Sequence, residues 1–336
     1  MPPAPSSTRA LNAILPQIAT APYEAHQKAR TFASRYVKSG QHNVAIDVLF
    51  QSARDLFKAG QAGSGVDLTG FLLEVYDAKG EAVTDESRGR LTQLIALAGS
   101  EGAWRKTIID KSLAWSTQNG AVPAGDAELH HYVGELLYKE GSFEAAEPHF
   151  LASSKRDSAR LLAEMFLEWS TADPSSHGAF ALRGTLPYLL NGNILCARTF
   201  ISRFASSLPR TTDAPLPVGP TAEVILVTDP VVNFAQLAVL TCQRAQGDRN
   251  KAVRESWVRL CGTYQSKGGL LASPEVRAAL NEISTLYFAF PPPRGSAGNP
   301  LGDMLSSLLG GGASGGAPAR RILAPAAAVV TASGLD

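Results

Sequence analysis

Apolar residues recur along most of this chain with the spacing of one helical face. The first such stripe is formed by Ala25, Ala29, Phe32, Ala33, Tyr36 and Val37. Offsets of three and four residues are those of an amphipathic α-helix. Gly40 then ends the helix, and a second stripe runs through Ala45, Val48, Leu49, Ala53 and Leu56 to Gly60. The pattern therefore predicts a helical hairpin over residues 23–60.

Further stripes of the same kind predict helices along the rest of the chain. They cover residues 66–78, 87–98, 104–117, 126–140, 142–152, 157–169, 179–190, 194–206, 231–245, 251–265 and 275–288. A helix pair cannot cover its own apolar face, so successive pairs must stack. Turn glycines at positions 40, 141, 192 and 247 give intervals of about 50 residues or a multiple, longer than the about 34 of a tetratricopeptide unit. We predict an all-α fold, an α-solenoid (superhelix) of degenerate tetratricopeptide-like helix pairs.

One segment interrupts the helical pattern. Residues 208–230 contain five prolines, followed by the compact β-branched run of residues 224–227. The prolines exclude a helix, and the apolar run favours a short strand. We predict a short β-hairpin insert, which is either a surface loop or a clamp on a partner.

The same patterns define the expected domain organisation. Residues 1–22 are predicted to be a flexible N-terminal segment with one short helix at residues 8–15, and residues 23–290 a single solenoid. Residues 291–336 are rich in Gly, Ala and Pro, a composition typical of disorder. Within that tail, residues 301–309 carry one short apolar stripe, which alone is too short for a stable helix.

Composition and charge exclude several classes of protein. The chain has 31 basic and 30 acidic residues, a net charge of +1, whereas a dedicated nucleic-acid binder should show a basic excess. No stretch approaches the about 20 apolar residues needed to cross a bilayer, and the N-terminus lacks an unbroken signal-peptide core. Cys196, Cys242 and Cys261 lie in helical patterns and are interpreted as core thiols in a reducing compartment. We expect a cytosolic protein without direct membrane insertion.

A search for chemistry finds no convergent site. The adjacent His130 and His131 point to different sides of a helix and cannot chelate one metal ion. The other histidines (His26, His42, His149 and His177) have no acidic or cysteine partner at ligand spacing,. The four tryptophans are predicted to pack in the core. We therefore expect no catalytic residue, no cofactor and no metal, which leaves a helical surface for binding proteins.

Two long strings carry a resemblance to a known family. YEAHQKARTFASRYV begins at residue 23, and QAGSGVDLTGFLLEVYD ends at residue 77. Together they resemble the N-terminal region of the Golgi to ER traffic protein 4 family. Shorter matches occur at GDAELH (125–130), YKEG (138–141) and residues 161–169, and YFAFPPPR with GNPLGDMLSSLLGG resembles the family's C-terminal ending.

The resemblance implies a non-enzymatic adaptor of the guided-entry pathway for tail-anchored membrane proteins. The N-terminal half (23–150) would contact a homodimeric ArsA-type targeting ATPase. The C-terminal half (151–290) would hold a ubiquitin-like adaptor protein, and through it chaperones and a tetratricopeptide co-chaperone. The family's β-hairpin near the adaptor groove matches residues 208–230, which favours the clamp interpretation.

Spacing and resemblance together give two sets of candidate interface residues. The ATPase-facing set is Tyr23, His26, Gln27, Arg30, Asp67 and Glu74. The first four share a polar flank of the first long helix, and a mixed aromatic and cationic strip is suited to an acidic protein face. The ubiquitin-like adaptor set is Val224, Ile225, Leu226, Phe234, Leu237, Trp257, Tyr264, Ile283 and Tyr287, in which core and groove roles are not separated.

Two other functions remain open at this stage. The chain could be a generic tetratricopeptide-like scaffold subunit of another cytosolic complex, or a catalytic α-superhelix. A pull-down from cytosol separates the three, because each predicts a different partner or a turnover.

Overall fold

The computed structural model describes residues 7–291, apart from 101, 213, 220 and 221. Within them lie fourteen α-helices and one two-stranded antiparallel sheet, which confirms the all-α prediction with a hairpin insert. The chain divides into two compact units, the first ending at Ser153 and the second beginning at Ser154. The first contains α1 (Thr8–Ile14), α2 (Pro22–Lys38), α3 (His42–Lys58), α4 (Ala62–Lys79), α5 (Asp85–Leu97), α6 (Trp104–Asn119), α7 (Ala127–Lys139) and α8 (Phe143–Ser153).

The second unit carries the remaining helices and the sheet. Its elements are α9 (Arg156–Trp169), α10 (His177–Leu190), α11 (Ile194–Ser206), β1 (Leu216–Gly219), β2 (Ala222–Val224), α12 (Pro230–Gln243), α13 (Lys251–Gln265) and α14 (Pro274–Phe288). The helix α10 packs against α9, α11, α12 and α14. Because it is surrounded in this way, nearly all of its residues are buried, including Arg183.

Consecutive helices form the predicted hairpins, and turn glycines join them. Gly40 follows α2 with a φ of 72°, and Gly141 follows α7 with a φ of 74°. Such left-handed values are accessible to glycine at little cost, which is why the chain can reverse there. Gly192 and Gly247 also have positive φ, as expected for the predicted turns.

Two helix pairs share the same kind of close packing. A glycine on the first helix faces a phenylalanine 16 positions later on the second: Gly134 with Phe150, and Gly184 with Phe200. Both phenylalanines are fully buried. A Cβ on Gly134 would lie 2.9 Å from the Phe150 ring, and a Cβ on Gly184 would approach the Phe200 ring more closely still. The bare backbone of the first helix therefore receives the side chain of the second.

Two segments add to the sequence-based expectations. The short helix expected at residues 8–15 is α1, and with the 3-10 turn that follows it buries Ala10, Ile14 and Ile18 in the core of the first unit. Their spacing of four residues builds an apolar stripe that the neighbouring helices cover. The helix predicted from residue 66 begins four residues earlier, at Ala62 of α4. Gly65 is required there, since a Cβ would lie 2.6 Å from the Phe57 ring.

Other expectations are resolved residue by residue. Trp115 and Trp257 are buried as predicted, but Trp104 is 46% exposed. Cys196 and Cys242 are buried, and Cys261 is half-buried. Most of the tail (292–336), with its apolar stripe at 301–309, lies outside the described residues. Over the described part of the chain, no helix combines the length and hydropathy required for a membrane span.

Candidate functional site

Three of the predicted ATPase-facing residues, His26, Arg30 and Asp67, meet where α2 packs against α4. Asp67 Oδ2 lies 2.7 Å from His26 Nε2 and accepts a hydrogen bond from Arg30 Nη1. His26 and Arg30 are one turn apart on α2, so their side chains emerge from the same side of that helix. This arrangement gives His26 an acidic partner 41 positions away, which the spacing along the sequence did not reveal.

The protonation pattern of this cluster follows from its contacts. His26 Nδ1 lies 3.4 Å from the Gln27 side-chain amide, so the tautomer that satisfies both contacts carries its proton on Nε2 and donates it to Asp67. Partial burial of Asp67 acts to raise the pKa of its carboxyl, but the hydrogen bonds with His26 and Arg30 outweigh burial. The net effect lowers the pKa below its usual value,. Asp67 is therefore held ionised between the two side chains of α2.

The six predicted ATPase-facing residues play different parts in this surface. Tyr23 is 70% exposed at the start of α2, and Gln27 and Glu74 are also exposed. His26 is only 8% exposed, so it has little surface of its own for a partner. Its contribution is to hold the Asp67 carboxylate in place. Arg30 is half-buried and stacks over Phe71, with its guanidinium carbon 5.4 Å from the ring centroid.

The β-hairpin insert is tied to α12 by two amide side chains. Strand β1 pairs antiparallel with β2, with Leu216 opposite Val224. Beyond β2, Gln236 accepts a hydrogen bond from the Ile225 amide at 3.1 Å and donates one to its carbonyl at 2.8 Å. Asn233 makes the same pair of bonds with Val227, at 3.1 and 2.8 Å. Ile225 and Val227 thus bond to side chains of a helix, while the Leu226 carbonyl accepts a hydrogen bond from the Thr211 amide at 2.8 Å. The regular strand therefore ends at Val224 although the apolar run continues.

The predicted adaptor-facing residues divide clearly by accessibility. Four are buried in the second unit with at most 2% exposure: Val224, Phe234, Trp257 and Ile283. Five are half-buried and offer some surface: Ile225, Leu226, Leu237, Tyr264 and Tyr287. The buried group stabilises the unit. Only the half-buried group can contribute area to a partner interface.

Two of the half-buried residues are anchored by contacts within the second unit. Tyr264 packs on Phe234 with ring centroids 5.3 Å apart, and the Tyr287 hydroxyl donates to the Leu189 carbonyl at 2.9 Å. Burial raises the pKa of Tyr287 to about 12, so its hydroxyl stays protonated as the donor. These contacts fix the orientation of each ring and leave one edge accessible.

Replacing Gln236 by Leu is expected to loosen the insert. Gln236 is 7% exposed, and its loss leaves the Ile225 amide and carbonyl without the partners that they have in the native chain. A cost of about 1–3 kcal/mol follows from leaving such groups unsatisfied. Hydrogen exchange of residues 224–227 should accelerate in this variant. The control is Gln243→Leu, the same change at an exposed position at the end of α12, and equal exchange in both variants would contradict the role of Gln236.

Sequence reasoning missed several residues that shape these surfaces. Phe71 is predicted only as part of the apolar face of its helix, and it also supports Arg30. Asn233 and Gln236 are absent from the candidate sets, although amides three residues apart on an otherwise apolar helix were a usable signal,. Leu216 of β1, which is 42% exposed, is absent as well. The sequence likewise did not indicate that His130 lies against His149, with the two Nδ1 atoms 3.1 Å apart.

These features define the class of protein: an α-solenoid of helix pairs with a β-hairpin insert. The described residues contain no group of three or more His, Cys, Asp or Glu side chains arranged to hold a metal ion.

Comparison with known proteins specifies the family. The model of the family described as Golgi to ER traffic protein 4 matches residues 39–309. Golgi to ER traffic protein 4 from Aspergillus fumigatus is 33% identical over 319 residues, covering 89% of this chain and 88% of that protein. The Homo sapiens homolog is 28% identical, covering 86% and 82%. The crystal structure of C. therm. Get4 superposes with a TM-score of 0.77 at 33% identity, covering 91% of this chain and 96% of that one. The chain belongs to the Golgi to ER traffic protein 4 family.

Proposed function

We propose that this protein is a cytosolic, non-enzymatic adaptor in the delivery of tail-anchored membrane proteins to the ER. It bridges a homodimeric ArsA-type targeting ATPase and a ubiquitin-like adaptor protein, which in turn brings chaperones and a tetratricopeptide co-chaperone. The observation that carries the proposal is the family match over residues 39–309. The two surfaces described above support it, because each unit has its own exposed binding residues.

The ATPase-facing surface of the proposal is the contact between α2 and α4. Tyr23 offers a large aromatic group at 70% exposure, and Arg30 is oriented by Asp67 and Phe71. Exposed Tyr and Arg side chains are enriched at protein interfaces, where rigid aromatic and guanidinium groups contribute most of the binding energy. Because Arg30 is already held in place, less conformational entropy is lost when a partner carboxylate binds it.

The adaptor-facing surface of the proposal is the insert with its neighbouring helices. Leu216, Ile225 and Leu226 supply accessible apolar area, while Gln236 and Asn233 hold the run in an extended conformation. An extended segment that is fixed in this way can receive a peptide without a large ordering cost. The proposed occupant is the N-terminal part of the ubiquitin-like adaptor.

Reconstitution from purified components tests the bridging role. The expected result is a ternary complex in size-exclusion chromatography when chain, ATPase and adaptor are mixed, and no co-elution of the ATPase with the adaptor when the chain is omitted. A pull-down from cytosol separates this function from that of a generic scaffold subunit of another complex. Recovery of a different complex would instead support a generic scaffold subunit, and failure to bind either protein would overturn the proposal.

Replacing Arg30 by Glu is expected to slow association with the ATPase by about tenfold at low salt and to weaken the salt dependence. The new carboxylate would face Asp67 and repel the acidic partner surface. Stopped-flow association kinetics at several salt concentrations measure both effects. Arg35→Glu is the matched control, since it makes the same charge change at an exposed position elsewhere on α2. Equal association rates for the two variants would remove Arg30 from the interface.

A further inference from the structure

Two glycines on α4 allow side chains of α6 to lie directly over its backbone. The Trp104 ring lies 3.7 Å from the point where a Cβ of Gly63 would stand, and the Lys111 amine lies 2.9 Å from the equivalent point at Gly70. Gly63 and Gly70 are seven residues apart on α4, and Trp104 and Lys111 are seven residues apart on α6. Seven residues correspond to two helical turns, so the two helices lie side by side along this contact. A Cβ at Gly63 would therefore meet the indole at ordinary van der Waals distance, which places the ring directly against α4.

Trp104 remains accessible in spite of this contact. It is 46% exposed, although tryptophan is on average among the more buried residue types. Lys111 is exposed as well, and over the described chain it forms no ion pair. An exposed indole is a group that protein interfaces use, and Lys111 adds a positive charge two turns further along the same helix.

This contact is continuous with the proposed ATPase-facing surface. Asp67 lies one turn after Gly63 on α4, and Glu74 lies one turn after Gly70, so they share the exposed strip of that helix,. On its other side the strip meets α2 through the bond between Asp67 and Arg30. A single surface therefore crosses α2, α4 and α6, with exposed aromatic residues at Tyr23 and Trp104.

We propose that Trp104 and Lys111 form the second half of the ATPase-facing interface. This inference rests on the proposed function. Trp104 inserts its indole into an apolar pocket on the ATPase, and Lys111 binds a carboxylate that borders that pocket. The continuity with the Arg30 and Asp67 contact assigns the surface to the same partner, because a protein that covers α2 and α4 must also cover the adjoining side chains of α6. An interface that included α2 alone would leave the indole half exposed at its edge.

Alanine substitution of Trp104 tests the inference. The dissociation constant for the ATPase is expected to rise by at least about tenfold, as for an aromatic interface anchor. Val122→Ala is the control, since it truncates another exposed apolar residue (48%) of the same unit, and it should change affinity less than about twofold. Lys111→Glu should slow association at low salt and have little effect at high salt.

A second variant separates binding from folding. Trp104→Phe keeps an aromatic ring against Gly63, and far-UV circular dichroism with thermal unfolding verifies that each variant is folded. Binding should shift the tryptophan emission of the native chain to shorter wavelength, and this shift should be largely absent in Trp104→Phe. If Trp104→Ala and Lys111→Glu bind like the native chain while Arg30→Glu is impaired, α6 lies outside the interface and the proposed function stands. If the native chain does not bind the ATPase, both proposals are overturned.

Discussion

Replacing Gly184 by Ala is expected to destabilise the second unit by about 1–2 kcal/mol. The added methyl group would overlap the Phe200 ring, which is fully buried. That ring cannot move aside, because it stacks on Phe204 with centroids 5.6 Å apart and meets Phe166 edge to face at 5.9 Å. Overpacking of a closed core costs about 1–3 kcal/mol and occasionally more, while the helix propensity of alanine returns up to about 1 kcal/mol. Urea denaturation followed by circular dichroism measures the difference.

Two further variants make this test specific. Gly262 lies in the interior of α13 and is exposed, and a methyl group added there would have no heavy atom of another side chain within 4 Å. Gly262→Ala should therefore gain up to about 1 kcal/mol. In a Gly184→Ala background, Phe200→Leu should recover part of the loss, although Phe200→Leu alone leaves a cavity and destabilises. If the Gly184→Ala protein were as stable as the native chain, α10 and α11 would be able to move apart without a loss of folding free energy, contrary to this expectation.

Acidification is expected to destabilise the first unit through His149. Burial, followed by the neighbouring His130 and Lys106, lowers the pKa of His149 to about 3. Burial also lowers the pKa of His130, against the Ala124 carbonyl and Asp126, which act to raise it. The unfolded chain takes up a proton near the ordinary histidine pKa of about 6.5. The stabilising contribution is therefore complete above about pH 6.5 and is lost as the pH falls toward 3, at up to about 1.4 kcal/mol per unit for one proton.

Nuclear magnetic resonance and denaturation together check this expectation. The His149 ring signals should keep their neutral shifts from pH 7 to pH 5, while the free energy of unfolding of the first unit decreases over the same range. In His149→Gln the pH dependence should become shallower. His42→Gln removes one imidazole from α3, away from the pair, and serves as the control. A His149 ring that titrates near pH 6.5 in the folded protein would contradict the burial of an uncharged pair.

The helical architecture was accessible from local pattern because each helix repeats its apolar spacing over three or more turns. The same holds for the turn glycines, whose positive φ at Gly40 and Gly141 is the property that lets glycine end a helix. The hairpin insert was also predictable, since prolines cannot continue a helix. The end of its strand was not, because the backbone groups of Ile225 and Val227 bond to side chains of α12. The short helix predicted at residues 8–15 corresponds to α1, which acquires its stability from packing,.

The candidate interfaces show the same division between local pattern and tertiary contact. Helical spacing and resemblance single out Tyr23 and Arg30, and both are accessible. The same grounds single out Phe234, Trp257 and Ile283, and these are core residues with 0–1% exposure. Helical periodicity identifies which residues share a face, but another element decides whether that face is covered. Neither His26 with Asp67 nor Trp104 with Gly63 is a local pair along the chain.

By itself the sequence determined the helices, the turns between them, the insert and the family, because these depend on short-range spacing and on strings of adjacent residues. Tertiary structure alone decided which side chains are available for binding. Trp104 and Trp115 lie on one stripe of α6, yet Trp104 is 46% exposed and Trp115 is 3% exposed. The physical reason is that exposure depends on neighbours brought close by folding: Trp104 lies over a bare glycine, whereas Trp115 packs against the Tyr76 ring at 5.1 Å.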